Sequence, residues 1–161
     1  MNILFLTILR INSISERGVY PDLVRKFCSE GHKVYIVTPS ERRYKQKASY
    51  IQEGNATILQ VNTLNFQKAG ILEKWLATML VNRQFSKRIK RNLSQRKFDL
   101  IIYSTPPITF TRLITRLKKK HRAVTYLLLK DIFPQNAVDL GLMKKGGILH
   151  KYFLKKEKDL L

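Results

Sequence analysis

Apolar runs of strand length recur along this chain with helix-sized amphipathic stretches between most of them, and that alternation limits the fold more than any other feature. The runs are residues 2–7 (NILFLT), 33–39 (KVYIVTP), 56–62 (ATILQVN), 98–107 (FDLIIYSTPP) and 123–129 (AVTYLLL). Between the first two, Val19, Leu23 and Phe27 recur at i, i+4 and i+8 and Gly31 follows as a stop, so the spacing predicts a helix. Residues 71–96 predict a long helix, and 108–121 another with Phe110, Ile114 and Leu117 on one side. Near-continuous apolar strands are buried on both faces, as in a parallel sheet covered by helices; half-exposed antiparallel strands alternate instead. The expectation is a single α/β domain over residues 1–161, a Rossmann-like open parallel sheet with helices on both faces. No internal repeat, low-complexity tract or linker interrupts it.

In open parallel sheets, ligands sit outside the carboxyl ends of the strands. Pro39, Pro106 and Pro134 lie just past such ends, and so does Asp131. One edge should therefore collect four polar segments: ILRINSISERG (8–18), TPSERR (38–43), STPPIT (104–109) and KDIFPQN (130–136). Proline fits a helix only in its first turn, so Pro21 places the start of the first helix near Arg17. That leaves roughly ten residues of loop after the first strand, long against the usual 2–6, and long loops at this edge commonly carry function.

Charge narrows the partners. Thirty-one lysines and arginines against eleven carboxylates give a formal net charge of +20, which favours nucleic acid, an anionic membrane or phosphorylated ligands. Hydrophobic residues at 44% exclude a disordered chain. The lone Cys28 excludes an internal disulfide framework and suggests a reducing compartment. The start of the chain has an apolar run but no basic leader region and no small-residue cleavage site, so a cytoplasmic protein is expected. No GxGxxG follows the first strand, and neither a GxxxxGK[ST] loop nor a GxSxG elbow occurs. His32, His121 and His150 are scattered without metal-ligand spacing, so neither metal nor cofactor is expected.

The long helix splits in character. Its first half is apolar nearly all round (Ile71, Leu72, Trp75, Leu76, Met79, Leu80, Val81), and its second half is basic. Such a segment suits an anionic membrane surface, with Trp75, Arg88, Lys90 and Arg91 as the expected contacts. It could equally be a core helix with a charged outer face.

Certain stretches also resemble a known family. MNILFLT, ERGVY, LVRKFCSEGHKVYIVTP, KFDLIIYSTPP and YLLLKDIFPQNAVDLG are similar to the N-terminal half of bacterial family 4 glycosyltransferases, retaining enzymes of the GT-B fold. Within that family the likeness is to enzymes building O-antigen, capsule and colanic acid repeats, including N-acetyl-L-fucosamine transferases. SERGVY stands where many relatives carry a Gly-Gly pair, and Tyr103-Ser104-Thr105 where a histidine often follows the fourth strand. The resemblance implies an acceptor-side domain, with a second, donor-binding domain carrying a Glu-x7-Glu motif; no glutamate pair here has that spacing.

What the resemblance implies for function is transfer from a nucleotide-sugar to a lipid-diphosphate-linked saccharide, on the inner face of the cell membrane. Asp131 would orient the acceptor hydroxyl or accept a hydrogen bond from a sugar, although a carboxylate there could also hold the amides of the next turn. Arg17 and Gly18, at the start of the first helix, would meet a diphosphate. Asn12, Ser13, Thr105, Pro106 and Asn136 are further candidates for the acceptor side, while Glu41, Arg42 and Arg43 read as a solvated loop. The competing class is a basic nucleic-acid-binding α/β module. The sequence weighs against it, because the aromatic residues fall mostly in strands and helix cores and no RNA-module motif occurs.

Overall fold

The computed structural model describes residues 1–65, 71–104, 110–129, 134–141 and 143–158, and within these the side chains of 71, 72, 74, 75, 78, 149 and 156–158 are left out of the description. Among these residues six strands, β1 (Asn2–Leu6), β2 (Lys33–Glu41), β3 (Tyr50–Glu53), β4 (Ala56–Thr63), β5 (Leu100–Ser104) and β6 (Val124–Leu128), form one sheet in the order β3-β4-β2-β1-β5-β6. Every pairing is parallel except β3 with β4. Among the described residues five α-helices accompany them: α1 (Val19–Ser29), α2 (Ile71–Leu93), α3 (Thr111–His121), α4 (Gln135–Asp139) and α5 (Ile148–Lys158).

The sheet is covered on both sides, as its apolar strands require. On one face Phe5, Ile36 and Ile58 pack with Tyr20 and Val24 of α1. On the other, Leu4, Val37 and Leu59 pack with Val81, Phe85 and Ile89 of α2 and with Leu113 and Leu117 of α3. Phe85 and Phe110 join the two helices, their ring centroids 5.0 Å apart. The Rossmann-like α/β fold read from the sequence is thus the fold observed.

Three details differ from the sequence reading. First, β2 does not stop at Pro39 but runs two residues further, to Glu41. Its neighbour β1 ends opposite Val37, so beyond that point β2 is an edge on that side, where a missing amide proton is tolerated. Second, β3 was not expected. Its four residues are only half covered, and it folds back on β4 through Gly54-Asn55, where Gly54 adopts φ 55°. That short glycine-asparagine turn was the available signal. Third, β6 is an edge strand rather than a buried one: Val124 and Tyr126 are 68% and 58% exposed on the face away from α3.

Candidate functional site

The chain runs from β1 to β2 to β4 on one side of the sheet, then crosses to β5 and β6 on the other side of β1. The strand order therefore reverses between β1 and β5, and a crevice at their carboxyl ends follows from the topology. Two buried hydroxyls meet at this point. Ser104 Oγ, at the end of β5, lies 3.4 Å from Thr7 Oγ1 just past β1, and both residues are buried. Thr7 Oγ1 also accepts from the Leu9 amide at 3.0 Å, which turns the chain sharply out of the sheet. Burial raises the phenol pKa of Tyr103 above its ordinary value, so this neighbour of Ser104 stays protonated.

The loop from Thr7 to Gly18 forms one wall, and its conformation is tied down along its length. Thr38, fully buried, accepts from the Ile11 amide at 3.0 Å and donates to the Leu9 carbonyl at 2.7 Å. Asn12 Nδ2 donates to Glu16 at 3.1 Å, and its Oδ1 accepts from Gln60 at 3.3 Å. Ser13 Oγ donates to Glu53 at 3.1 Å, and the same carboxylate accepts from the Ile14 amide at 2.8 Å. Arg25 of α1 donates to the carbonyls of Ile14 and Glu16. Asn12 and Ser13 are thus engaged in the loop's own hydrogen bonds.

The loop delivers the chain to α1. Gly18 caps the helix at φ 153°, a conformation that favours glycine, and the Asp22 amide closes the first turn onto its carbonyl at 2.9 Å. The helix starts two residues after Arg17, and Pro21 sits in its first turn as the sequence predicted. Its amino end, with exposed Arg17 beside it, therefore faces the carboxyl edge of the sheet, where amide protons and dipole favour an anion.

A second cationic group stands at the same edge and was missed in the sequence. Arg10, half-buried, places its guanidinium 4.0 Å from the Tyr44 ring centre and donates to Gln46; its Nε is buried with no partner among the described residues. Arg43 approaches the same ring at 4.6 Å and bonds Glu41 at 3.3 Å. Glu41 is 3% exposed and Arg43 half-buried, so of residues 41–43 only Arg42 is the solvated residue that their charge suggested. The signal for Arg10 was its position, in the first loop past the β1 carboxyl end. Asn65 carries this cluster to α2: its Oδ1 accepts from the Arg43 amide at 2.9 Å, and its Nδ2 donates to Glu73 at 2.8 Å.

The remaining expected residues scatter. Asp131, Thr105 and Pro106 lie outside the described residues, as does the side chain of Trp75. Asn136 is exposed on the short α4, where its carbonyl accepts from the Leu140 amide. Arg88 turns inward, donating to the carbonyls of Gln60 at 3.2 Å and Ala48 at 3.5 Å, because position 88 follows Val81 and Phe85 along the sheet-facing side of α2. Lys90 and Arg91 are exposed. Among the described residues, no three His, Cys, Asp or Glu side chains gather as metal ligands, and no helix is long and apolar enough to cross a membrane.

No family model and no curated protein matches the sequence. Solved structures do match it in shape. One, described as "OtsA apo structure", superposes with a TM-score of 0.61 at 14% identity, over 99% of this chain and 39% of that one. Another, "Trehalose-6-phosphate from E. coli bound with UDP-2-fluoro glucose", gives a TM-score of 0.59 at 13% identity, over 98% of this chain and 38% of that one. This chain thus spans less than two-fifths of the length of these two structures. At such identities the likeness concerns fold alone, and the fold is that of one Rossmann-like half of the GT-B architecture.

Proposed function

We propose that this chain is the acceptor-side half of a retaining glycosyltransferase that moves a sugar from a nucleotide donor onto a lipid-diphosphate-linked saccharide of a bacterial surface polysaccharide. The observation that carries the reading is the match, over nearly the whole chain, to GT-B glycosyltransferase structures, one of them bound with UDP-2-fluoro glucose. The donor would be held mainly by a second domain, and the crevice between β1 and β5 would take the acceptor.

In the proposed reaction the acceptor hydroxyl oxygen bonds to the anomeric carbon as the bond from that carbon to the donor diphosphate breaks. The hydroxyl proton passes to the departing diphosphate on the same face of the sugar, so configuration is retained without a protein nucleophile. Asp131 would orient the attacking hydroxyl. Arg17 and the amino end of α1 would bear anionic charge near the reacting centre, and the half-buried guanidinium of Arg10 would meet the acceptor's phosphates.

The test is release of nucleoside diphosphate from a panel of nucleotide sugars, dependent on a lipid-diphosphate saccharide, by the protein together with its donor-binding half. Asp131→Asn, which keeps size while removing charge, should lower the rate at least about tenfold, some 1.4 kcal/mol of transition-state stabilisation, with little change in melting temperature. A normal rate with a lowered melting temperature would make Asp131 a turn residue. Release of no nucleoside diphosphate from any donor would overturn the transferase reading.

A further inference from the structure

Between residues 74 and 130 the sequence holds fifteen lysines and arginines and a single carboxylate, Asp99. Asp99 lies at the amino edge of the sheet, where it accepts from the Asn2 amide at 2.7 Å. The helices of this segment, α2 and α3, are neighbours on one face of the sheet, joined by Phe85 against Phe110 and by Arg116 donating to Ser86 at 3.3 Å. Beyond Glu73, which the start of α2 turns to Asn65, their outer surface therefore carries cations without a carboxylate among them. The opposite face differs, because α1 pairs Arg25 with Asp22 and Lys26 with Glu30.

The exposed side of α2 is one stripe with two halves. Leu76, Met79 and Leu80 are 51%, 56% and 40% exposed, and Arg83, Lys87 and Lys90 continue the same i, i+3, i+4 track. On α3, Arg112, Arg116 and Lys119 form a parallel basic stripe, all exposed. The apolar half has a definite location. It precedes Phe85, the level at which α3 begins, and Glu73 ties that end of α2 through Asn65 to the carboxyl-end loop of β2. The apolar patch thus stands on the crevice side of the molecule, with the cations behind it.

We propose that this two-helix surface docks on an anionic lipid bilayer, with Leu76, Met79 and Leu80 entering the headgroup boundary and the two basic stripes lying over the lipid phosphates. An anionic bilayer offers both partners the surface needs, a negative plane and an apolar layer beneath it. Docking this way sets the carboxyl-edge crevice at the headgroup level, where a lipid-linked saccharide presents its sugar. The inference deepens the acceptor reading and rests on it for the purpose of docking, while binding itself stands on charge and exposure alone.

The test is co-sedimentation of the protein with vesicles of phosphatidylcholine alone and with phosphatidylglycerol added. Binding is expected only to the second, weakening as salt rises and the screening length falls from about 10 Å at 0.1 M to about 3 Å at 1 M. Arg112→Gln with Lys119→Gln should weaken it about thirtyfold, at roughly 1 kcal/mol per basic residue near the surface. A charge-matched control pair off the two helices, Lys26→Gln on α1 with Lys33→Gln at the amino edge of the sheet, should change it far less. Leu76→Ser with Met79→Ser should remove the part that survives high salt. All six positions are exposed, so melting curves should confirm folded variants. Equal losses from the two charge pairs would overturn the docking face, since only net charge would then matter. So would vesicle binding that the serine pair leaves intact at high salt, tight binding to duplex RNA with none to vesicles, or a dimer dissolved by the serine pair without vesicle binding. Vesicle binding as expected, with no sugar transfer to any acceptor, would support docking while removing the transferase reading.

Discussion

Replacing Thr38 with valine tests whether the long loop after β1 is held by one buried hydroxyl. The two side chains have nearly the same shape, so packing against the α1 face is kept and only the oxygen is lost. That oxygen satisfies two backbone groups, the Ile11 amide at 3.0 Å and the Leu9 carbonyl at 2.7 Å. Ile11 is 2% exposed, so its amide cannot turn to water, and an orphaned buried donor costs about 1–3 kcal/mol. Leu9 is 39% exposed and its carbonyl can be hydrated, so only one penalty is counted. For a domain of this size, about 1–3 kcal/mol lowers the melting temperature by roughly 2–12 °C. Amide exchange at Ile11 should accelerate well before exchange in β1 and β2. Thr38→Ser keeps the oxygen and should restore the slow amide. Thr38→Val with an unmoved melting temperature and an unchanged Ile11 exchange rate would refute the latch, and with it the claim that the crevice wall is preformed.

His121 is buried at the end of α3, its ring 4.9 Å from that of Phe98, and burial together with the Lys120 charge lowers its pKa. The unfolded chain therefore takes up the proton first as pH falls, so this residue costs no stability above about pH 6.5 and erodes it below that value. Urea unfolding at several pH values should show the decline, and His121→Phe should flatten it. Phe85→Ala empties the junction between α2 and α3 and should cost roughly 3–5 kcal/mol by denaturant titration; a loss below about 1 kcal/mol would mean that the two helices are not packed as described.

Much of the architecture was legible because parallel strands advertise themselves. The runs at 2–7, 33–39, 56–62 and 98–107 were read from apolar continuity, and the sheet that buries them on both faces is what such continuity demands. What escaped was structure that does not depend on apolar burial. The strand at Tyr50–Glu53 is short and half covered, so only its turn could reveal it. The exposed face of β6 was invisible because apolar content says that a strand wants cover, not whether it receives it. At the candidate site the difficulty was different. Polar residues in a loop can serve a ligand or serve the loop, and the sequence cannot separate the two. Asn12 and Ser13 hold the loop, while Arg10, which no motif flags, keeps a buried donor without a partner among the described residues.

Charge and apolar exposure on α2 and α3 favour lipid over nucleic acid for a reason that magnitudes make plain. A net charge of +20 serves either partner, since phosphates are what both present. The deciding groups are the uncharged ones. Fully burying a leucine or methionine is worth about 1.5–3 kcal/mol, and Leu76, Met79 and Leu80 are each near half exposed, so together they hold roughly 2–4 kcal/mol that only an apolar phase can release. A duplex backbone would leave that free energy unused and the three side chains wet. Two cations on α3 contribute a comparable amount, about 1 kcal/mol each, but theirs fades with salt while the apolar share does not. A surface that keeps part of its affinity at about 1 M salt, and loses that part when Leu76 and Met79 become serine, is reading a bilayer; one whose affinity vanishes entirely in salt is reading phosphates alone.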